Sequence, residues 1–392
     1  MVGGGVWQVP LVLAAKKLGC FVVCTNPYKD SPGFAPADVG LMIDIRNKEK
    51  QLKAARRYRV DAVVSDQVDL AVPTVADLAE KLGLPGIGRE KAALFTNKHL
   101  MRRFCEEHGF LQPRYRLCVS PAEGERAARE LGFPCILKPL DSRSSRGVFI
   151  IRDAAQLKKR IPLTLKEGTS RREFLIEERI VGLEHTIEGF KLPGGHVTLA
   201  ISTKSHYASA PTVADRLVYS GVGPRGRFAA LARSHDALID AMGLPFGITH
   251  CEYMLRKGRF YMIEVAARGG GIGISSEIIP IISGADVTQA LVRLSLGERL
   301  SRLPVRAKTA KHAVLEFFET RKGRVKAIHG LDAIRAMPQI QRCDLNIKAG
   351  DRVGPPVNDS ARPGLFIGKA SSLARIERLS RRVKSTLRIV YG

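Results

Sequence analysis

Along this chain, short apolar runs alternate with segments in which apolar residues recur every three or four positions. The first kind reads as strand and the second as helix. From residue 1 to about 90 the order is VGGGVW, QVPLVLAAKKLG, FVVCTNP, KEKQLKAARRYRV, AVVSD and VPTVADLAEKLG. Such alternation predicts a small parallel sheet wrapped by helices. Its first strand is almost missing, since Gly3 follows Met1-Val2 directly, and we expect a few residues to precede the given start. Gly3-Gly4-Gly5 followed by Gln8 fails the G-x-G-x-x-G pattern. Two readings stay open there: a close-approach turn for a small ligand or phosphate, and a tight strand-to-helix packing turn.

Further along, a helix is expected over Asn97 to His108, stopped by Gly109. FPCILKP reads as a short buried strand ending near Lys138. DSRSSRGVFII continues as a polar loop into a second strand, and FLIEERIVGLEHTIEGF as two strands bent at Gly182. More strands follow over 197–250, with an extended loop region from Ser202 to Arg227 and a helix around Leu231 to Met242. Helices near Val287 to Leu296 and over Ser372 to Arg388 complete the pattern, and Pro304 marks a boundary before the last segment.

Within GITHCEYMLRKGRFYMIEVAARGGG, two strand-like runs rich in β-branched and aromatic residues flank Lys257-Gly258-Arg259, a turn sequence. Gly258 lies midway between Glu252 and Glu264. An odd-length loop centred there sets the two glutamates directly opposite each other, on one face, with Cβ atoms about 5 Å apart. Unpartnered carboxylates at that spacing repel by ~3 kcal/mol at an effective dielectric near 20, which a shared divalent cation would turn into attraction. Oxygen-only ligands favour Mg2+ or Mn2+ over zinc. The alternative is an edge hairpin whose glutamates face water and pair with Arg256, Lys257 or Arg259. Arg268, opening into Gly269-Gly270-Gly271, adds a cation beside the pair.

Composition narrows the classes. The 392 residues exceed the size of one ordinary core, so two or three domains are expected. The seven cysteines are scattered, without a C-x-x-C pair, as in a reduced cytoplasmic protein. The apolar start has no preceding basic residues, which argues against a signal peptide, and no apolar run is long enough to span a bilayer. A formal charge of +25 admits polyanion partners, but the basic residues are spread along the chain without aromatic interleaving. We expect no membrane and no dedicated nucleic-acid binding. Taken singly, Lys98, Lys138 and the loop Asp141, Ser142, Arg143, Ser144, Ser145, Arg146, Gly147 read as ordinary solvated surface, with phosphate contact as the alternative.

The order of these pieces carries more than each alone. Lys98, FPCILKP with its polar loop, EERIVGLE, HCEY and IEVAARGGG together resemble the ATP-grasp superfamily of carboxylate-amine ligases, in the branch of biotin carboxylase and the purine-pathway enzymes. The opening resembles the pre-ATP domain of that branch, and DRVGPP with RPGLFIGKASS its C-terminal domain. The resemblance implies an α/β fold: a Rossmann-like pre-ATP domain over 1–90, an ATP-grasp domain over 91–303 with a lid at 133–200, and a small C-terminal α+β domain over 304–392. It implies that Lys98 and Lys138 hold ATP phosphates under a flap formed by residues 141–147, that Glu177 and Ile180 form the adenine hinge, and that Glu184 binds ribose. Glu252 and Glu264 would hold Mg2+ (or Mn2+), and Arg268 would steady the transferring phosphoryl group.

Two departures stand out: Ala266 occupies a position where asparagine is usual, and Gly147 is the flap's lone glycine. The implied reaction joins a small-molecule carboxylate to an amine through an acyl phosphate, on amino-acid-like substrates, in a cytoplasmic protein for which a homodimer is one expected state. A carboxyphosphate-forming or purine-pathway enzyme is the second reading, and a noncatalytic polyanion-binding protein the third. The glycine run would let a carboxylate approach backbone amides or serve only as a flexible turn. His206, Tyr207 and Arg216 are expected near the cleft, as candidates for site or surface roles.

Overall fold

The computed structural model describes residues 1–142, 145–170, 172–223, 225 and 228–392. Its N-terminal part packs α1 (Val9–Lys17), α2 (Lys48–Arg57) and α3 (Val72–Leu82) around the parallel pair β1 (Val23–Asn26) and β2 (Val39–Met42). Met1-Val2 extends this arrangement, for Val2 bridges Thr25 in parallel and its N–H donates to the Val64 carbonyl. The AVVSD segment is thus aligned beside the sheet without being a regular strand. Helix α4 (Arg89–Leu94) leads into α5 (Lys98–Glu107), which starts where the Asn97 side chain accepts from the His99 and Leu100 amides.

A second unit is a four-stranded antiparallel sheet covered on one face by α6 (Pro121–Leu131) and α7 (Ala154–Glu167). Its strands are β3 (Tyr115–Cys118), β4 (Cys135–Pro139), β5 (Phe149–Ile151) and β6 (Phe174–Glu178), in the order β3-β6-β4-β5. The third and largest unit is an eight-stranded sheet. It contains β7 (Leu183–Leu192), β8 (Gly195–Tyr207), β9 (Ala210–Gly221), β10 (Gly247–Arg256) and β11 (Arg259–Ala266). Strands β12 (His312–Phe317), β14 (Ile340–Leu345) and β16 (Gly364–Ala370) continue it, in the order β11-β10-β7-β8-β9-β12-β16-β14. The last strands of the chain therefore extend the central sheet across Pro304. A small sheet of β13 (Gly323–His329), β15 (Arg352–Val353) and β17 (Arg388–Tyr391) stands apart from it.

Alternation in the central strands divides the large sheet into a greasy and a polar face. Ile187, Ile201, Cys251, Tyr253 and Val265 point into a core shared with α5 and with α8 (Ala229–Ala241). Glu184, Thr186, Glu188, His250, Glu252 and Glu264 take the alternate positions, and cross-strand pairing keeps them on one face. The same alternation corrects the expected loop over Ser202 to Arg227: Ser202–Tyr207 and Ala210–Gly221 are strand, joined in a hairpin. Those strands read as loop because their polar residues face the polar side of the sheet rather than solvent.

Candidate active site

Glu252 and Glu264 are register partners, as the hairpin reading requires, but the geometry behind it differs from the expected odd loop. The turn has two residues, Lys257 (φ 49°) and Gly258 (φ 75°), with Arg256 opposite Arg259. Continued evenly, that register would oppose Glu252 to Ile263. A bulge at Ile263 inserts one residue, so that Tyr253 faces Met262 and Glu252 faces Glu264. Arg102 stabilises the irregularity by donating to the Met262 carbonyl (3.3 Å) and the Ile263 carbonyl (2.7 Å).

Around these glutamates lies a continuous network of charge. Lys98 Nζ donates to Glu264 Oε1 (2.8 Å) and to the Ser142 carbonyl (2.9 Å). Lys204 Nζ contacts Glu252 Oε1 (2.8 Å) and Glu184 Oε1 (2.5 Å), and His206 Nε2 lies 2.9 Å from Glu184 Oε2. Burial pushes the Glu184 carboxyl up, but Lys204 and His206 more than reverse this and bring it to about 2. Glu252 is likewise held below the ordinary carboxylate value, burial being outweighed by Lys204, and Lys204 itself is raised by its two carboxylates. His250 is hydrogen-bonded through Nδ1 to Glu188 Oε1 (2.8 Å), which lifts its pKa above the usual value despite burial.

The edge-hairpin alternative fails on these contacts, since Arg256 pairs with Glu178 and not with either central glutamate. Glu252 and Glu264 keep side-chain exposures of 24% and 33%, so both remain reachable by a ligand. Two opposed carboxylates form an oxygen-only donor set. Among the described residues no group of three or more His, Cys, Asp or Glu is arranged to hold a metal. Two carboxylates alone would fit a hard cation only where water and phosphates complete its shell. Ala266 is the register partner of His250.

Beneath this cluster is a drier one. Arg102, fully buried, donates to Glu177 Oε1 through Nε (2.8 Å) and to Oε2 through Nη2 (3.3 Å), and Lys138 Nζ lies 2.8 Å from the same Oε2. Two cations on one carboxylate explain their opposite responses. Glu177 is held below its usual value because Arg102 and Lys138 outweigh burial, whereas burial and the neighbouring Arg102 and Lys98 push Lys138 down to about 8. Two expectations change here. Lys138 points into this triad, and β6 is flanked on both sides, so Glu177 offers no free strand edge: Tyr115 and Ile136 are its partners. Ile180, also buried, follows the strand in an unpaired segment.

Arg268 is clamped from the N-terminal part. Its Nε and Nη2 donate to Asp69 (2.7 and 2.9 Å) and Nη1 to the Gly269 carbonyl (2.9 Å). Burial opposes its charge, and Asp69, with Glu264 and Glu188 behind it, carries its pKa above the ordinary arginine value. Asp66 accepts from the Gly269 amide (2.7 Å) and Ser275 Oγ (2.6 Å), tying down both ends of the glycine run.

Around the loop expected as a flap, Ser142 Oγ donates to the Arg146 carbonyl, Ser145 Oγ to the Thr212 carbonyl, and Thr164 Oγ1 to the Gly147 carbonyl. Arg143 and Ser144 lie outside the described residues. Tyr207 and Arg216 leave the candidate list: Tyr207 donates to the Phe318 carbonyl, and Arg216 pairs with Glu316 and Glu377. Arg102, Glu188, Lys204, His250, Asp66 and Asp69 were not singled out from sequence. The strand period could have found Glu188 with Glu184, and His250 with Glu252. The helix period could have found Arg102, four residues after Lys98.

Comparison with known proteins agrees with this layout. Residues 131–276 match the ATP-grasp domain model. This is an ATP-grasp domain. Residues 316–392 match L-amino acid ligase C-terminal domain 2. A formate-dependent phosphoribosylglycinamide formyltransferase of Prochlorococcus marinus is 29% identical over 183 residues, 46% of this chain and 46% of that protein. The chain spans about half the length of the curated relatives it matches.

Two solved structures show the same ATP-grasp fold over the full chain. The L-amino acid ligase of Bacillus licheniformis has a TM-score of 0.84 at 21% identity and covers 100% of this chain and 97% of its own. The phosphoribosylglycinamide synthetase of Anaerococcus prevotii has 0.74 at 19%, covering 100% and 98%. Within this fold, Lys98 links the opposed pair to the Ser142 carbonyl through its contact with Glu264. No helix among the described residues is long and apolar enough to cross a membrane.

Proposed function

We propose that this protein is an ATP-dependent carboxylate-amine ligase acting on amino-acid-like substrates. The observation that carries the reading is the pairing of Glu252 with Glu264 across the bulged hairpin, with Lys98 on Glu264, inside an ATP-grasp domain. A substrate carboxylate oxygen attacks the γ-phosphorus of ATP, the bond to the β-phosphate oxygen breaks, and ADP leaves. The amine nitrogen then attacks the acyl carbon, phosphate departs, and the amine gives up a proton, leaving an amide.

The chain's own part is positioning and charge neutralisation, since phosphoryl transfer asks little covalent help. Lys98 can exchange Glu264 for a phosphate oxygen without leaving its place beside the flap. Lys204 and His206 hold Glu184 ionised, as an acceptor for ribose hydroxyls. Ile180 and the backbone after β6 form the adenine side. Asp69 orients Arg268 toward the transferring group, and the flap excludes water from the acyl phosphate. Glu252 and Glu264 would hold Mg2+, or Mn2+ in its place, which neutralises phosphate charge when bound.

The similarity of residues 316–392 to an L-amino acid ligase domain supports amino-acid-like substrates over a purine-pathway ligation. Phosphate release with Mg-ATP, screened against paired panels of carboxylates and amines, tests the reading. Turnover should require both partners and fall steeply in Glu264→Ala and Arg268→Ala. Turnover unchanged in both variants would reject it.

A further inference from the structure

One carboxylate on the polar face remains without a role. Glu188 is fully buried, 0% exposed, on β7. Its Oε1 accepts from His250 Nδ1 (2.8 Å) and from the Tyr219 hydroxyl (3.1 Å). Its Oε2 has no hydrogen-bond partner among the described residues. Buried polar atoms are almost always satisfied, and a carboxylate oxygen left without a donor costs about 1–3 kcal/mol or more, so this oxygen marks the place of a donor from outside the chain.

The surroundings indicate which donor. Gly270 passes directly over the carboxylate: a Cβ there would lie 3.1 Å from Glu188 Oε1 and 3.0 Å from His250 Nδ1. The Ile274 side chain borders the same position, 2.9 Å from that Cβ, so the lack of a side chain at Gly270 is what leaves the backbone able to pass beside the acid. Arg268, next in the chain, feels the charge of both Glu188 and Glu264, so a cation-seeking and an anion-seeking group stand side by side. A zwitterion whose carboxylate lies toward Arg268 presents its ammonium toward Glu188.

We propose that Glu188 Oε2 is the receptor for the α-ammonium group of the amino acid whose carboxylate the enzyme activates. This rests on the ligase reading above and names the substrate class within it. The activated amino acid suits the position better than the attacking one. An ammonium held against a carboxylate stays protonated, which serves a spectator group and would silence a nucleophile. Tyr219 and His250 both bond Oε1, which leaves Oε2 as the oxygen able to accept from a ligand.

The test compares L-alanine, L-leucine and L-phenylalanine with the same carboxylates lacking the α-amino group, using the full chain with Mg-ATP and a fixed amine. Glu188→Gln should raise KM for the amino acids roughly 10- to 100-fold, the range for a hydrogen bond to a charged group, while KM for the des-amino acids and for ATP stays unchanged. Equal shifts for both series, or no shift in either, overturn the proposal. Should Glu188→Gln lose its thermal unfolding transition, Gly270→Ala supplies the second variant. Its methyl group crowds the same approach and should produce the same selective loss.

Calorimetric titration of the wild type and variants with each series, in the presence of ADP, reads the subsite without turnover. Selective loss of amino-acid binding in an inactive preparation keeps the subsite and removes the ligase reading. Carboxylate-dependent turnover without that selectivity does the reverse. Wild type that binds none of these amino acids better than its des-amino partner sinks the subsite.

Discussion

The two clusters of charge near α5 differ in what surrounds them, and that difference separates architecture from chemistry. Arg102, Glu177 and Lys138 are dry, with side-chain exposures of 0%, 3% and 5%. Their contacts tie together β6, β4 and the bulge of β11. In the wetter cluster of Lys98, Glu264, Glu252, Lys204 and Glu184, Lys98 is as buried as Lys138, but Glu252 and Glu264 keep exposures of 24% and 33% and so can exchange partners with a ligand. A buried ion pair that loses one member strands a charge, whereas a partly exposed carboxylate leaves a place that water can take. Substitutions should therefore damage stability in the first cluster and turnover in the second.

The strongest challenge to that division is Arg102→Met. It leaves Glu177 with Lys138 alone and two bulge carbonyls without a donor. Loss of about 3–5 kcal/mol is expected, read as a fall in the denaturant midpoint. A midpoint within experimental scatter of wild type would erase the distinction. Glu264→Gln should show the opposite profile. Carboxylate-dependent phosphate release should fall by roughly 100-fold, equivalent to about 2.7 kcal/mol, while the unfolding midpoint moves little because water can replace the carboxylate's contact with Lys98. A large drop in stability together with activity would place Glu264 among the architectural residues instead.

Lys138 sharpens the comparison through pH. Its folded pKa, about 8, lies below the unfolded value of 10.5, so between those limits the unfolded chain binds more protons than the folded one. Stability should rise with pH across that window, on the order of 1 kcal/mol per unit, and Lys138→Met should remove the rise. Denaturant titrations at pH 7.5, 9 and 10.5, run on both proteins, decide it; parallel curves would show Lys138 to be an ordinary charged lysine. The wetter cluster responds at the other end. Glu184, depressed from 4.5 to about 2, contributes stability that is complete above pH 4.5 and lost as pH falls through 2. Lys204→Met should flatten that acid limb by about 1 kcal/mol, and an unaltered limb would mean that Lys204 does not hold Glu184 ionised.

How much of this was legible in the sequence follows the same dry and wet division. The helices over α5 and α8 and the strands β4, β6, β7, β10 and β11 could be read because period and burial agree in them. The strands β8 and β9 could not, since their alternate positions hold Ser202, Lys204 and His206 on a polar face that looks like loop when no partner is visible. The opposed glutamates were legible as a pair, yet the reason was wrong in detail. Symmetry about Gly258 stood in for a two-residue turn plus a bulge, and only tertiary contact with Arg102 reveals the bulge. Arg102 itself is one cation among many in a chain of +25 charge, and nothing local marks it as the buried one.

The turn of that hairpin offers the smallest and cleanest test of which feature sets the register. Gly258 holds φ 75°, where a side chain costs about 1–2 kcal/mol, and a Cβ there would meet nothing within 4 Å. Gly258→Ala therefore tests backbone strain alone. If the bulge and its contacts with Arg102 fix the pairing of Glu252 with Glu264, this variant should lose about 1 kcal/mol of stability and keep its KM for ATP and its turnover. If the turn dictates the pairing, strain at Gly258 should propagate about five or six residues along both strands, and turnover should fall together with stability. The bulge makes the first outcome the expected one, because its carbonyls are bonded to a fully buried guanidinium while the turn residues Lys257 and Gly258 are exposed.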